Sequence, residues 1–308
     1  AGFYLKFYLQ KLYIQGTCMN FLKILFGTIT ALFSSPLSLL SGKNKKYIGD
    51  SKFGFHHGSG IVTYDDGEKY IGEFHEGTRH GRGMYAFANG DHYIGEYKYG
   101  SRHGNGIYAT LYGAIYAGQL ENGFPNGTGT ETFADGSKYI GEFKLGAPHG
   151  KGIRIETDGS TYIGEFRNGL AHGFGTSISH SGDHYQGDHK DGKKHGVGTF
   201  KWGNGDTYSG EYRNDRRHGK GIETYVEGDR YEGEWVSDNF EGTGTYVWAD
   251  GATYHGEWEA GAMHGLGTLT HANGVTECGI WREDELIQSY EANSYTQHLQ
   301  LVRKISNS

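Results

Sequence analysis

A block of 23 residues recurs ten times between residues 47 and 276, with no insertion or deletion. The copies open at Tyr47, Tyr70, Tyr93, Tyr116, Tyr139, Tyr162, Tyr185, Tyr208, Tyr231 and Tyr254. A period this short and strict excludes an ordinary globular core. Each copy must be one small supersecondary unit, packed mainly on its neighbours. The three segments so defined are residues 1–46, the array 47–276, and residues 277–308, whose "ECGIW" at 277–281 starts an incomplete eleventh copy.

Numbering each copy from its tyrosine, glycine fills positions 3, 12, 14 and 21 in all ten copies and position 8 in eight. Asp215 and Asp238 are the exceptions at position 8, and these five columns hold 48 of the 54 glycines. Position 4 is acidic in nine copies, with Gln119 in the other; position 11 is His in eight, with Asn126 and Glu241 in the others. Positions 1 to 5 alternate with period two, so Tyr, Gly and a following aromatic share one face of a strand. Positions 15 to 18 read as a second short strand, as in "TYVW" and "TFKW". A Gly-rich loop such as "NGLAHGFG" would join the two strands, and Pro125 and Pro148 fall inside it, as proline outside a ladder should. Asp-Gly and Asn-Gly pairs mark turns between copies. Glycine at position 3 leaves room for rings to lie over the backbone, and glycines in loops and turns supply positive φ. The expected fold is all-β: one elongated antiparallel sheet of hairpins, roughly 100 Å long at about 10 Å per copy.

These residues resemble the MORN repeat (membrane occupation and recognition nexus), whose pattern is similar to Tyr-x-Gly-Glu-Trp/Phe-x-x-Gly-x-x-His-Gly-x-Gly. The resemblance implies a single sheet of stacked hairpins that serves as scaffold, membrane tether or partner-binding module, and that pairs into homodimers. Similar arrays adjoin kinase domains in plant lipid kinases, adjoin a methyltransferase domain, and occur in junctional and ciliary spoke proteins. Position 5 departs from the pattern at Ser51, Leu120 and His189, where local packing is expected to differ.

Charge is unevenly placed. Residues 1–46 carry six lysines and no acid, while the array carries 20 basic and 31 acidic side chains. An acidic array is a poor match for nucleic acid, whose binding rests on basic groups at phosphates. With two cysteines, Cys18 and Cys278, there is neither a disulfide framework nor a CxxC metal pair.

No chemistry-bearing set stands out. The His column (His57, His80, His103, His149, His172, His195, His218, His264) repeats at about 10 Å, whereas zinc needs its ligands within about 2.3 Å. Hydrogen bonding within the loop is the expected role. The acidic column (Glu73, Glu96, Glu142, Glu165, Glu211, Glu234, Glu257) has the same spacing and no distinguished pair. "HGKG" at His149 and His218 lacks the P-loop spacing. The expectation is a non-enzyme without metal or cofactor.

The aromatics carry the functional expectation. Trp202, Tyr208, Tyr212, Tyr225, Tyr231, Trp235, Trp248, Tyr254 and Trp258 would form a ring-lined strip over copies 7 to 10, where all five tryptophans lie at or after Trp202. An extended peptide or an amphipathic helix from a protein partner could lie along it. The competing expectation is anionic phospholipid, phosphoinositide in particular, at a basic loop rim of Arg79, Arg82, Arg102, Lys193, Lys194, Arg216, Arg217 and Lys220. A third is the regulatory array of a larger enzyme such as a phosphatidylinositol phosphate kinase, whose catalytic domain neither flank has room for. Residues 21–40 are mostly apolar, and three readings are open for the leader 1–46: signal peptide within 19–41, membrane anchor with a cytoplasmic array, or non-native extension. An intracellular, membrane-associated array is favoured; the signal-peptide reading would make it exported. The polar tail is expected to include a short helix covering the last hairpin.

Overall fold

The computed structural model describes residues 45–290; the readings of residues 1–44 and 291–308 as leader, anchor or tail lie outside that range. Among the described residues there are 22 strands and no helix, so no helix is long and apolar enough to cross a membrane. Each strand pairs antiparallel with the next, from β1 (Lys46–Lys52) to β22 (Glu285–Ser289), in one open meander.

Each copy contributes a seven-residue and a nine-residue strand, for example β11 (Thr161–Arg167) and β12 (Leu170–Ile178). The connection inside a copy is shorter than its glycines suggest. It is the two-residue turn Asn168-Gly169, with φ of +51° and +84°. Two positive φ values match the right-handed twist of the flanking strands. The "AHGFG" stretch therefore belongs to β12 and is not a loop. Gly164 pairs with Gly175 and Glu165 with His172, so Gly173 and Phe174 bulge out of that pairing. Between copies, Gly67 N–H donates to Tyr64 O at 3.1 Å and Tyr64 N–H to Glu68 O at 2.9 Å, a wider turn.

The prolines correct the loop reading from another side. Pro125 lies in β8 (Phe124–Thr132) opposite Leu120, and Pro148 in β10 (Ala147–Ile155) opposite Phe143. A strand tolerates them because the position-10 N–H points away from the ladder. Lys194 N–H and Arg217 N–H instead reach the carboxylates of Asp215 and Asp238 at the next copy's turn, at 2.8 and 2.9 Å.

The core is one layer deep. The ring of each position-1 tyrosine lies across the glycines at positions 3 and 14. A Cβ added at Gly210 or Gly221 would come within 2.5 or 2.3 Å of the Tyr208 hydroxyl. That hydroxyl donates to Glu211 O at 3.0 Å. Where position 5 carries a ring, the position-1 rings of the same and the preceding copy meet it edge to face. The series runs without a break from Tyr116 to Trp281, through pairs such as Tyr116–Phe143, Tyr185–Tyr212 and Tyr254–Trp281 at 5.1 to 5.6 Å. His189 keeps the series going: buried, it stacks edge to face on Tyr162 and Tyr185 at 4.9 and 5.1 Å. Its desolvation pushes the imidazole pKa down, favouring the neutral ring. Beyond copy 10, β21 (Thr276–Arg282) and β22 form a shortened eleventh hairpin that starts at the incomplete copy 277–281; the helix expected of the polar tail does not lie within 282–290, and 291–308 lie outside the described residues. Its Trp281 Nε1–H donates to Gly267 O at 3.2 Å.

Candidate interaction surface

The sheet has two unlike faces. On the aromatic face, the nine rings expected to meet a partner divide by position. Tyr208, Tyr212, Tyr231, Trp235, Tyr254 and Trp258 are buried, none more than 6% exposed. They are the protein's interior, because neighbouring rings cover their faces and position-10 side chains cover the rest. Trp202, Tyr225 and Trp248, at position 18, are half-buried and keep free surface.

The eight basic residues separate in the same way. Arg79, Arg102, Lys194 and Arg217 at position 10 lie on the aromatic face. Their charged groups sit 4.9 Å from the Tyr85 ring, 4.8 Å from Tyr108, 4.4 Å from Phe200 and 4.3 Å from Trp235. Arg79 and Arg102 also donate to the Gly100 and Gly123 carbonyls at 3.0 Å, and burial pushes the Lys194 pKa down. Lys193 and Arg216 stand exposed at the hairpin turns, and Arg82 and Lys220 are exposed at position 13. Three locations are occupied where one rim was expected.

The reverse face carries the acidic and His columns. The position-4 carboxylate caps the bulge: Arg82, Asn105 and Lys220 N–H donate to Glu73, Glu96 and Glu211 at 2.9, 2.9 and 3.0 Å. Gln119 does the same for Thr128 N–H at 2.8 Å. The histidines lie in strands, opposite position 4, not in a loop; His103, His172 and His218 pair with Glu96, Glu165 and Glu211. Among the described residues, no group of three or more His, Cys, Asp or Glu side chains is arranged to hold a metal ion.

One feature of this face was missed from sequence. Positions 2 and 15 form a single cross-strand row along the array: Ile48–Ile61–Ile71–Met84–Ile94–Ile107 in copies 1 to 3, then Ile140–Ile153–Ile163 in copies 5 and 6. Ala117 and Thr130 bridge the two runs. Ile48 is 60% exposed. In copies 7 to 10 the row turns largely polar, with Thr199 and Ser209 hydroxyls 3.2 Å apart and Thr245 Oγ1 2.8 Å from His255 Nδ1. The hairpin-turn edge changes in parallel: Phe53, Phe55, Tyr99, Phe124, Leu145 and Leu170 are exposed, and all six precede copy 7. The signal was available in the alternating pattern, since position 2 is isoleucine in five of the first six copies.

A meander of hairpins, each resting on the next through one tyrosine and two glycines, defines a tandem β-hairpin repeat protein. The MORN repeat family model matches residues 47–69, 70–92, 93–109, 116–138, 139–161, 162–184, 185–207, 208–230, 231–253 and 254–276, and the chain belongs to that family. No curated protein matches it. Solved structures similar to it include the Danio rerio CPAP TCP10 domain in complex with a STIL peptide, at 14% identity and a TM-score of 0.37, covering 80% of this chain and 100% of that one. Another is the Drosophila melanogaster SAS-4 (dCPAP) TCP domain with a proline-rich motif of Ana2, at 12% identity and a TM-score of 0.29, covering 64% of this chain and 96% of that one. At these values neither speaks to what this chain binds.

Proposed function

We propose that the chain is a non-catalytic scaffold that binds protein partners along the outward surface of copies 1 to 6. The observation that carries this reading is the isoleucine row. Aligned, partly exposed β-branched side chains on a sheet face with no second layer are an apolar patch of the kind that marks interaction sites. The bulky turn residues point the same way. Phe53, Tyr99 and Leu145 hold φ of +54°, +50° and +50°, where Asn and Asp stand in other copies, and are 89%, 73% and 78% exposed. Large apolar groups at positive φ cost stability, and contact with a partner would offset that cost. Within copies 7 to 9, Trp202, Tyr225 and Trp248 form a second, smaller strip for a peptide or helix.

The test is affinity capture on immobilised full-length chain, comparing wild type with Ile71→Lys/Ile94→Lys and with Trp202→Ala/Trp248→Ala. A partner lost specifically in the isoleucine variant supports the reading. Equal capture by wild type and both variants would sink it. Flotation with phosphoinositide vesicles, lost as salt rises and unaffected by the isoleucine substitutions, would put lipid recognition in its place.

A further inference from the structure

Position 10 packs over position 16 of the same copy. In copies 2, 3 and 7 a cation covers a ring there: Arg79 on Tyr85, Arg102 on Tyr108 and Lys194 on Phe200. Copy 8 differs, because position 16 is a carboxylate. Glu223, whose side chain is 6% exposed, ion-pairs with the Arg217 guanidinium and accepts the Tyr225 hydroxyl at 2.5 Å. Copy 4 has the same carboxylate, Glu131, but position 10 is Pro125. Among the described residues, no cation lies within ion-pair distance of Glu131 and no hydrogen bond reaches it.

Two more departures coincide at this place. Leu120 stands where position 5 should supply a ring, so the edge-to-face series breaks between Tyr93 and Tyr116. Thr110 stands where copies 1, 2 and 4 have Tyr64, Phe87 and Phe133 at position 18. A ring, a ring and a long cation are missing together. The result is a hollow of about 390 Å³ on the aromatic face, whose lining includes Arg102, Tyr116, Leu120, Phe124, Pro125 and Glu131. That volume is within the range of small-ligand pockets.

We infer that this hollow receives an arginine side chain from a partner protein, its guanidinium against Glu131 as Arg217 lies against Glu223. The stem would rest on Leu120, Pro125 and the Phe124 ring. Arginine is favoured over lysine because its planar fork matches a carboxylate and stacks on aromatic faces. Arg102 does not meet this need: its guanidinium is engaged by the Gly123 carbonyl and the Tyr108 ring. Burial raises the Glu131 pKa, consistent with a carboxylate desolvated without a counterion. The hollow lies on the face opposite the isoleucine row, so either proposal can fail without the other.

Two measurements on the full chain test it. Pro125→Arg places on the chain the group that copy 8 carries, and position 10 already accepts arginine in three copies. The expected result is a melting temperature raised by a few degrees, with the gain abolished when Glu131→Gln is combined with it. In saturation-transfer NMR, N-acetyl-arginine methylamide should bind wild type, bind Glu131→Gln at least fivefold more weakly, and be displaced in Pro125→Arg. Its norleucine analogue should show no such dependence. Absence of coupling in the double variant would overturn the proposal. So would failure of the arginine probe to bind wild type, or equal binding to Glu131→Gln.

Discussion

Replacing Gly221 by alanine adds one methyl group, and the structure indicates where it would go. The new Cβ would lie 2.3 Å from the Tyr208 hydroxyl oxygen and 2.5 Å from two ring carbons, far inside van der Waals contact. Tyr208 is fully buried and cannot swing into solvent without leaving Tyr212 and Trp235, each 5.2 Å away edge to face. Overpacking of this kind costs about 1–3 kcal/mol. Loosening an edge-to-face pair adds about 0.5–1.5 kcal/mol, and weakening the hydroxyl bond to Glu211 O about 1 kcal/mol. The lower chain entropy of unfolded alanine returns about 0.4–1 kcal/mol. The net expectation is a loss of about 1.5–5 kcal/mol, centred near 3. Gly251→Ala is the control: φ is +92° and nothing lies within 4 Å of the added carbon. Only the left-handed backbone penalty of about 1–2 kcal/mol applies, less the same entropic return. Urea unfolding followed by tryptophan fluorescence suits the comparison, since all five tryptophans lie in copy 7 or later. If the two variants unfold within about 0.5 kcal/mol of each other, the tyrosine-over-glycine account is wrong.

Three further outcomes follow from the same geometry. Trp235→Phe removes the indole N–H that donates to Gly221 O at 3.2 Å and should cost about 1 kcal/mol, against about 3–5 kcal/mol for Trp235→Ala; similar costs in urea unfolding would deny the indole its packing role. Glu211→Gln should be nearly neutral, because Gln119 already caps a bulge, whereas Glu211→Ala should lose about 1–2 kcal/mol by stranding the Lys220 N–H; equal unfolding midpoints would remove the cap from the account. Burial, opposed in Tyr93 by Arg102, pushes the phenols of Tyr93 and Tyr162 up to about 12. Because the folded values exceed the ordinary 10, their stabilising contribution is complete below pH 10 and declines as pH rises toward 12. Absorbance at 295 nm should therefore show these rings ionising late and together with loss of sheet circular dichroism; their ionisation near pH 10 in an intact sheet would refute the burial.

The period, the hairpin and the glycine under the ring were legible in the residues because each follows from local sterics. The bulge was not. Gly173 and Gly175 look alike as loop glycines, yet Gly173 takes a φ of +61° beside the Glu165 carboxylate while Gly175 lies extended beneath Tyr162. Only strand pairing separates these roles, and it turns an apparent eight-residue loop into a two-residue turn. Burial was misread for a related reason. Tryptophans on a one-layer sheet suggest an open strip, but Trp235 and Trp258 are closed over by Tyr208, Tyr231 and Phe240 at 4.8 to 5.5 Å. Rings from neighbouring copies act as the missing layer.

This sets where function can reside. The fully repeated columns are consumed by the fold: position 1 covers the glycines at 3 and 14, and position 4 caps the bulge at 12. A side chain committed to the same contact in every copy has little surface left with which to distinguish one partner from another. Specificity must come from rows that vary between copies while sharing one backbone. Positions 2 and 15 change from isoleucine to threonine, serine, glutamate and histidine, and positions 10 and 16 from cation on ring to Pro125 beside Glu131. Because those rows sit on opposite faces of one sheet, the two proposed sites would be filled independently, and neither uses the contacts that keep the hairpins stacked.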